Sequence, residues 1–167
     1  MTAGQASDPG VKGPAWVKIR RRVEWPDTDA AGRYHHSTVI RWVEAAKAEL
    51  FAALQLLEVF GSVPRVHYEV DYKSPVYFRD EIELALVVDK VGGSSVRYTF
   101  KVLRLPVPAE PGRVVAQGAL VAVIIDADSG SPRAWPEDAR QRLLTSGEQG
   151  SAPGPRAAQA DASTGSE

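Results

Sequence analysis

The fold of this chain follows mainly from residues 17–60, VKIRRRVEWPDTDAAGRYHHSTVIRWVEAAKAELFAALQLLEVF. Apolar side chains fall at alternate positions in its opening residues, a period of two that predicts a half-buried β-strand. From about Thr38 to Phe60 apolar residues recur every three or four positions, which predicts a long amphipathic helix. Between the two lies PDTDAAGRYHHST, residues 26–38, which packs two aspartates, two histidines, a tyrosine and a glycine into one turn-like segment. Strand, polar turn and helix therefore follow one another directly.

The period of two returns after Pro64 and predicts further strands. Gly92 and Gly93 indicate a hairpin turn, and the remaining connections are too short for parallel crossovers. We therefore predict an α+β domain, in which a mostly antiparallel sheet of five strands covers one long helix. The later strands are expected near residues 66–72, 82–88, 96–102 and 114–125, and a short final helix near 136–144.

The two ends of the chain differ in composition from the middle. Residues 1–15 and 146–167 are rich in Gly, Pro, Ser and Ala and nearly lack large apolar side chains. Such segments bury too little surface to offset their conformational entropy, so we predict disordered tails around a domain at 16–145. The N-terminus has no apolar core of a secretory signal, and no stretch is long and apolar enough to span a membrane. We expect a cytoplasmic protein without membrane partners.

Composition excludes several classes of function. The chain has 167 residues, no cysteine and a formal net charge of -1. Disulfides, thiolate nucleophiles and cysteine-type zinc sites are therefore excluded. A near-neutral charge balance argues against nucleic acid as a partner, because nucleic-acid binding needs a basic surface.

Two blocks of sequence resemble hotdog-fold acyl-CoA thioesterases of the 4-hydroxybenzoyl-CoA thioesterase type. The first is VEWPDTDAAGRYHHSTVIRWVEAAKAELF, with a D-x-D-x-x-G turn at residues 27–32 and the helix start RWVEA at 41–45. The second is YEVDYKSP at 68–75, followed by RDEI at 79–82, which matches a V-x-Y-x-x-P strand pair of that family. The resemblance implies a hotdog fold, in which the antiparallel sheet wraps around the long helix. It also implies hydrolysis of an acyl-CoA or acyl carrier protein thioester, no cofactor or metal, and a homodimer or homotetramer with sites at the subunit interface.

The resemblance assigns the chemistry to the polar turn. Asp29 matches the family's catalytic carboxylate, acting as nucleophile or as general base on water, two roles that the residues leave open. The alternative for Asp29 is a turn-forming role, which is the role we expect for Asp27. The free N–H groups at the start of the helix suit a polarised thioester carbonyl, and the resemblance assigns this role to the backbone N–H near His36. The His36 side chain is a second catalytic candidate.

Five further residues are candidates for substrate binding. Gly32 allows a positive φ or a close approach to substrate, and Tyr34 is expected to line the acyl pocket or to pack. His35 lies where relatives carry an aromatic residue. Ser94 and Ser95 lie where relatives place nucleotide contacts.

Two other functions remain open at this level. A hotdog dehydratase or hydratase pairs a histidine with a carboxylate, and His35 or His36 fits that role. A non-catalytic acyl-CoA-binding scaffold is the second alternative. The acyl group itself is not determined by the sequence.

Overall fold

In the computed structural model, which describes residues 13–152, a six-stranded sheet curves around one long helix. The predicted tail segments at 1–12 and 153–167 lie outside the described residues. The strands are β1 (Trp16–Arg22), β2 (Arg65–Tyr72), β3 (Glu81–Val91), β4 (Ser95–Arg104), β5 (Arg113–Val123) and β6 (Glu148–Ala152). The helices are α1 (Thr38–Ala53), α2 (Leu57–Phe60) and α3 (Glu137–Thr145), and a 3-10 turn spans Trp25–Asp27.

The sheet has the strand order β2-β5-β4-β3-β1-β6. The first five strands pair antiparallel, which confirms the predicted α+β class and places β5 inside the sheet. The prediction of five strands is wrong by one, because β6 pairs parallel with β1. Residues 148–152, predicted as part of a disordered tail, therefore belong to the sheet. Backbone pairing with the free edge of β1 holds them, and such pairing needs no large apolar side chains.

The long helix is shorter than predicted. It ends at Ala53 rather than near Phe60, and the left-handed φ of 56° at Gln55 separates it from α2. The guanidinium of Arg142 in α3 donates to the carbonyls of Leu54 (3.1 Å) and Gln55 (3.2 Å). This side chain satisfies carbonyls that the end of a helix leaves without partners.

The core lies between α1 and the concave face of the sheet. Val39, Val43 and Leu50 on the helix are fully buried, as are Ile19 and Leu84 on the strands facing them. Removing apolar surface of this kind from water contributes on the order of 25 cal/mol per Å2. The helix is thereby held with its N-terminus beside the polar turn.

Lys47 is an exception to the polar outer face that we predicted for α1. Its side chain is only 3% exposed, and its ammonium group donates to the Val63 carbonyl at 3.1 Å. The same group lies 5.1 Å from the centre of the Phe60 ring. Burial lowers the pKa of Lys47 from its ordinary value, an effect partly opposed by the nearby Glu44.

Strands β2 and β5 approach each other closely at Gly118. This glycine faces Val70 in β2 and Phe100 in β4. A Cβ at position 118 would lie 2.0 Å from the carbonyl oxygen of Glu69. The backbone of β2 therefore occupies the space that any other side chain would need.

Strand β2 forms one edge of the sheet and is open to solvent. Val66 is 61% exposed and Tyr72 46% exposed, and both belong to a strand in which apolar or aromatic residues alternate with polar ones. An exposed edge strand of this kind presents unpaired N–H and C=O groups for pairing with another chain.

Candidate active site

The polar turn folds back on itself between β1 and α1. The N–H of Asp29 donates to the carbonyl of Arg33 (2.7 Å), and the N–H of Gly32 donates to the carbonyl of Asp29 (2.9 Å). Gly32 has a φ of 74°, which is the first of the two alternatives predicted for it. Because that conformation is costly for other residues, Gly32 fixes the direction in which the chain leaves the turn.

The two oxygens of the Asp29 carboxylate have different surroundings. Oδ1 accepts the N–H of Ala31 at 2.8 Å and, more weakly, that of Arg33 at 3.4 Å. Oδ2 accepts no hydrogen bond from any group in residues 13–152. The turn-forming and catalytic roles of Asp29 are therefore compatible, because one oxygen orients the carboxylate and the other is left for substrate or water.

Asp27 has the structural role that we expected. Its Oδ2 accepts the N–H of Glu24 at 2.9 Å, and its Oδ1 accepts from the Arg41 guanidinium at 3.2 Å. Its carbonyl accepts the N–H of His35 at 2.7 Å and the hydroxyl of Thr38 at 2.9 Å. Asp27 therefore ties the polar turn to the first turn of α1.

The residues from His35 to Ser37 lead into α1, and hydrogen bonds hold most of their backbone groups. The carbonyl of His35 accepts the N–H of Thr38 at 2.8 Å, and Nδ1 of His35 accepts the N–H of Ser37 at 3.2 Å. The carbonyl of His36 accepts the hydroxyl of Tyr72 at 2.8 Å. The N–H of His36 has no acceptor among the residues described. This is the donor that the sequence predicted for the oxyanion, at the positive end of the helix dipole.

A cavity of about 440 Å3 joins these groups. Asp29, Tyr34 and His36 all line it, so the structure brings both predicted catalytic residues and one predicted binding residue together. Arg33 and Lys73 place two cationic side chains on its wall. The full lining consists of Asp29, Ala31, Arg33, Tyr34, His36, Tyr72, Lys73, Ser74 and Pro75.

Aromatic rings form one side of the cavity. The ring of Tyr34 stacks on Trp42, with centroids 6.1 Å apart, and lies 6.2 Å from the ring of Tyr72. Burial raises the pKa of Tyr34, with a smaller contribution from Tyr72. Tyr34 therefore remains a neutral phenol that presents a flat apolar surface beside Asp29.

The residues from Tyr72 to Pro75 belong to this wall, and we had not predicted a site role for Tyr72, Ser74 or Pro75. The V-x-Y-x-x-P pattern contains these residues, but by itself the pattern indicates only a strand pair. Tyr72 ends β2, and the residues after it reach the polar turn, where the N–H of Tyr34 donates to the carbonyl of Val76 at 3.0 Å.

Four predicted binding residues do not line the cavity: Gly32 lies in the polar turn, and His35, Ser94 and Ser95 lie elsewhere. Nδ1 of His35 pairs with the Ser37 hydroxyl at 2.7 Å, and His35 does not line the cavity. Ser94 and Ser95 lie at the turn between β3 and β4. In the register of β1 and β3, Trp16 faces Val87, so this turn lies at the start of β1, whereas Asp29 follows its end. A strand of seven residues separates the two by roughly 20 Å.

Neither a metal centre nor a membrane span is found in the part of the chain that the structure describes. No three His, Cys, Asp or Glu side chains within residues 13–152 gather closely enough to hold a metal ion. None of the helices there is long and apolar enough to cross a bilayer.

Proteins similar in sequence to this chain are named as thioesterases or CoA hydrolases. Residues 23–143 match the model of the Thioesterase-like superfamily. The 1,4-dihydroxy-2-naphthoyl-CoA hydrolase of Synechococcus sp. (strain CC9605) is 30% identical over 133 residues, which cover 73% of this chain and 85% of that protein.

Solved structures share the fold. A thioesterase from Thermus thermophilus, complexed with coenzyme A and Zn, superposes with a TM-score of 0.65 at 26% identity, covering 81% of this chain and 95% of that one. The 4-hydroxybenzoyl-CoA thioesterase of Pseudomonas sp. strain CBS-3 superposes with a TM-score of 0.66 at 20% identity, covering 76% and 98%. The predicted hotdog fold and thioesterase class are thereby confirmed, and the chain belongs to the Thioesterase-like superfamily.

Proposed function

We propose that this protein hydrolyses an acyl-CoA thioester, with Asp29 as the reacting carboxylate and the His36 N–H as the donor to the oxyanion. One observation carries the proposal. Asp29 and His36 line the same cavity, and each contributes a group with no partner in the described structure, an acceptor oxygen and a donor N–H. A thioesterase needs this pairing of a nucleophile or base with a donor aimed at the carbonyl.

Two routes lead to the same products. As a nucleophile, Asp29 attacks the carbonyl carbon and the C–S bond breaks, which releases the thiolate and forms a mixed anhydride. Water then cleaves the anhydride to the free acid and the Asp29 carboxylate, and one proton of that water passes to the thiolate. As a general base, Asp29 takes a proton from water while the water oxygen attacks the carbonyl carbon, and that proton passes to the leaving thiolate. In both routes the negative charge that develops on the carbonyl oxygen meets the His36 N–H and the positive end of the dipole of α1.

The carrier in this proposal is coenzyme A. Arg33 and Lys73 line the cavity that contains Asp29, and both are exposed cations. Guanidinium and ammonium groups bind phosphate through charge-assisted hydrogen bonds, and coenzyme A carries a pyrophosphate and a 3′-phosphate. The relative from Synechococcus sp. is named a CoA hydrolase, which supports this carrier over an acyl carrier protein.

The acyl group in this proposal is aromatic. The rings of Tyr34 and Tyr72 line the cavity, and the buried Trp42 stacks behind Tyr34 and supports its flat surface. Aromatic rings prefer offset or edge contacts with other rings, which adds to the free energy of burying them. The naphthoyl and benzoyl groups named for the similar proteins support this choice.

A homodimer paired through β2 would complete the site. β2 runs from Arg65, paired with Ala122, to Tyr72, which lines the cavity. Ser95 is paired with Val123, so the turn with Ser94 and Ser95 lies at the starting end of β2. Antiparallel pairing of two β2 edges reverses the partner's sheet, so Ser94 and Ser95 of the partner subunit arrive at the Asp29 end of this one. The proposal includes this dimer, a cytoplasmic location and no resident cofactor.

The test of the catalytic assignment compares two aspartates of one motif. Asp29→Asn keeps an oxygen for the Ala31 N–H but removes the charge, so we expect kcat to fall by about 1000-fold, or about 4 kcal/mol of transition-state stabilisation. Its melting temperature should stay near that of the wild type. Asp27→Asn leaves one accepting oxygen where two are used, so the bond to either Glu24 or Arg41 is lost, and it should lower the melting temperature while retaining most of kcat.

The assay is release of free thiol from a panel of benzoyl-, 4-hydroxybenzoyl-, 1,4-dihydroxy-2-naphthoyl-, acetyl- and octanoyl-CoA. Retention of full hydrolysis by Asp29→Asn would refute the site. A wild-type protein that binds coenzyme A but cleaves no member of the panel would favour the scaffold alternative. Hydration of an enoyl-CoA without thiol release would favour a hydratase.

A further inference from the structure

Tyr72, at the end of the edge strand β2, reaches the segment that precedes α1. Its hydroxyl donates to the carbonyl of His36 at 2.8 Å, and its ring lies 6.2 Å from that of Tyr34. Tyr72 is 46% exposed, so no burial forces its hydroxyl to find a protein partner. The mechanism proposed above assigns Tyr72 no part in proton transfer or in bond breaking.

The peptide groups on both sides of His36 are held by hydrogen bonds. On the N-terminal side, the His35 carbonyl accepts the Thr38 N–H, and one peptide further back the His35 N–H donates to the Asp27 carbonyl. On the C-terminal side, the Ser37 N–H donates to His35, and the His36 carbonyl accepts from Tyr72. Of these four bonds, only the one from Tyr72 comes from outside residues 27–38.

We propose that Tyr72 is a positioning residue, whose hydroxyl fixes the backbone at His36 and so aims the His36 N–H at the thioester carbonyl. This inference rests on the proposed function. Hydrogen bonds weaken steeply as the donor angle departs from linearity, and stabilisation of an oxyanion depends on donors held in place before the reaction. Without the hydroxyl, the peptide between His36 and Ser37 loses its anchor to the sheet, and the adjoining N–H moves with it.

The variant Tyr72→Phe keeps the ring and its contact with Tyr34 and removes only the hydroxyl. We expect kcat to fall about tenfold on the substrate that the wild type cleaves best, with KM changed less than about twofold, because the donor acts on the transition state more than on the bound substrate. Tyr77→Phe is the matched control, since Tyr77 is 47% exposed in the following segment and does not line the cavity. It should equal the wild type.

A second measurement separates positioning from a loss of stability. The carbonyl stretching band of a thioester bound to Asp29→Asn reports the hydrogen bond that its oxygen accepts, and only in folded, liganded protein. In Asp29→Asn with Tyr72→Phe, the band should move to higher frequency, and with Tyr77→Phe it should not move.

The outcomes distinguish a failure of the role proposed for Tyr72 from a failure of the proposed thioesterase function. An unchanged kcat in Tyr72→Phe, or an unmoved carbonyl band in the double variant, overturns the role of Tyr72 and leaves the catalytic assignment intact. Thiol release that survives in Asp29→Asn, or that is absent from the wild type, overturns the proposed function instead.

Discussion

Substitution of Gly118 by alanine tests how strongly the approach of β2 to β5 holds the sheet together. The added Cβ would lie 2.0 Å from the Glu69 carbonyl oxygen and 2.9 Å from the tip of the Phe100 ring. Ordinary contacts begin above about 3.3 Å, so β2 must move by roughly an ångström. The backbone of an edge strand, unlike the end of a flexible side chain, cannot shift without disturbing its hydrogen bonds.

The cost has two sources. Forcing an extra methyl group into a packed site costs about 1–3 kcal/mol. Moving β2 also weakens its hydrogen bonds to β5 around Val70, at about 1 kcal/mol each. We expect Gly118→Ala to lower the free energy of unfolding by about 3 kcal/mol, which for a domain of this size lowers Tm by about 6–12 °C.

Denaturant unfolding and thermal melting measure this directly. Gly93→Ala is the matched control, because a Cβ there meets no heavy atom within 4 Å. It should change the free energy of unfolding by less than about 0.5 kcal/mol. Equal stabilities for the two variants would refute the reasoning, because the close contact would then have no energetic weight.

Two further predictions concern charged side chains. The lowered pKa of Lys47 means that the unfolded chain binds more protons than the folded one between that pKa and the ordinary value near 10.5. The free energy of unfolding of the wild type should therefore rise with pH in this alkaline window relative to that of Lys47→Met, as measured by denaturant titration. If the two free energies changed in parallel with pH, the prediction would be contradicted. The double variant Arg33→Ala with Lys73→Ala should raise KM for an acyl-CoA about tenfold, because lost charge-assisted bonds to phosphate weaken binding by on the order of 1 kcal/mol or more. Its KM for the same acyl group on pantetheine, which lacks these phosphates, should be unchanged. In the control Lys101→Ala, on the opposite face of the sheet, the KM values for the acyl-CoA and for the acyl pantetheine should both be unchanged. Equal increases in KM for the two substrates would contradict the phosphate assignment.

The sequence predicted best those features that depend on local periodicity. The succession of β1, the polar turn and α1 follows from apolar spacing within one segment of chain. Asp29, Gly32 and His36 lie close together in that segment, so their grouping needs little more than the turn itself.

Features decided by distant partners were not predicted. The end of α1 depends on Arg142, which reaches Leu54 and Gln55 from the far end of the chain. Lys47 falls on a stripe of polar residues, but the segment around Phe60 and Val63 folds over it. The strand β6 pairs with β1, which lies at the opposite end of the described chain.

The site shows the same contrast between features set by local sequence and features set by distant parts of the chain. Tyr72 enters the cavity from a strand whose position relative to the polar turn is set by the sheet. Ser94 and Ser95 were grouped with Asp29 by resemblance, and the register of β1 with β3 separates them within one chain. Apolar periodicity in the sequence indicates neither how close Tyr72 lies to the polar turn nor how far Ser94 and Ser95 lie from Asp29.

The unequal edges of the sheet restrict how copies of this chain can associate. β2 offers eight residues with an exposed valine, whereas β6 offers five residues that include a glycine. Head-to-tail growth would require a long β2 to pair with a short β6, which gives an open-ended filament. Pairing β2 with its own copy matches lengths, consumes the better edge of both chains and stops there. For the dimer proposed above, the asymmetry of the two edges thus favours a closed assembly over a growing one.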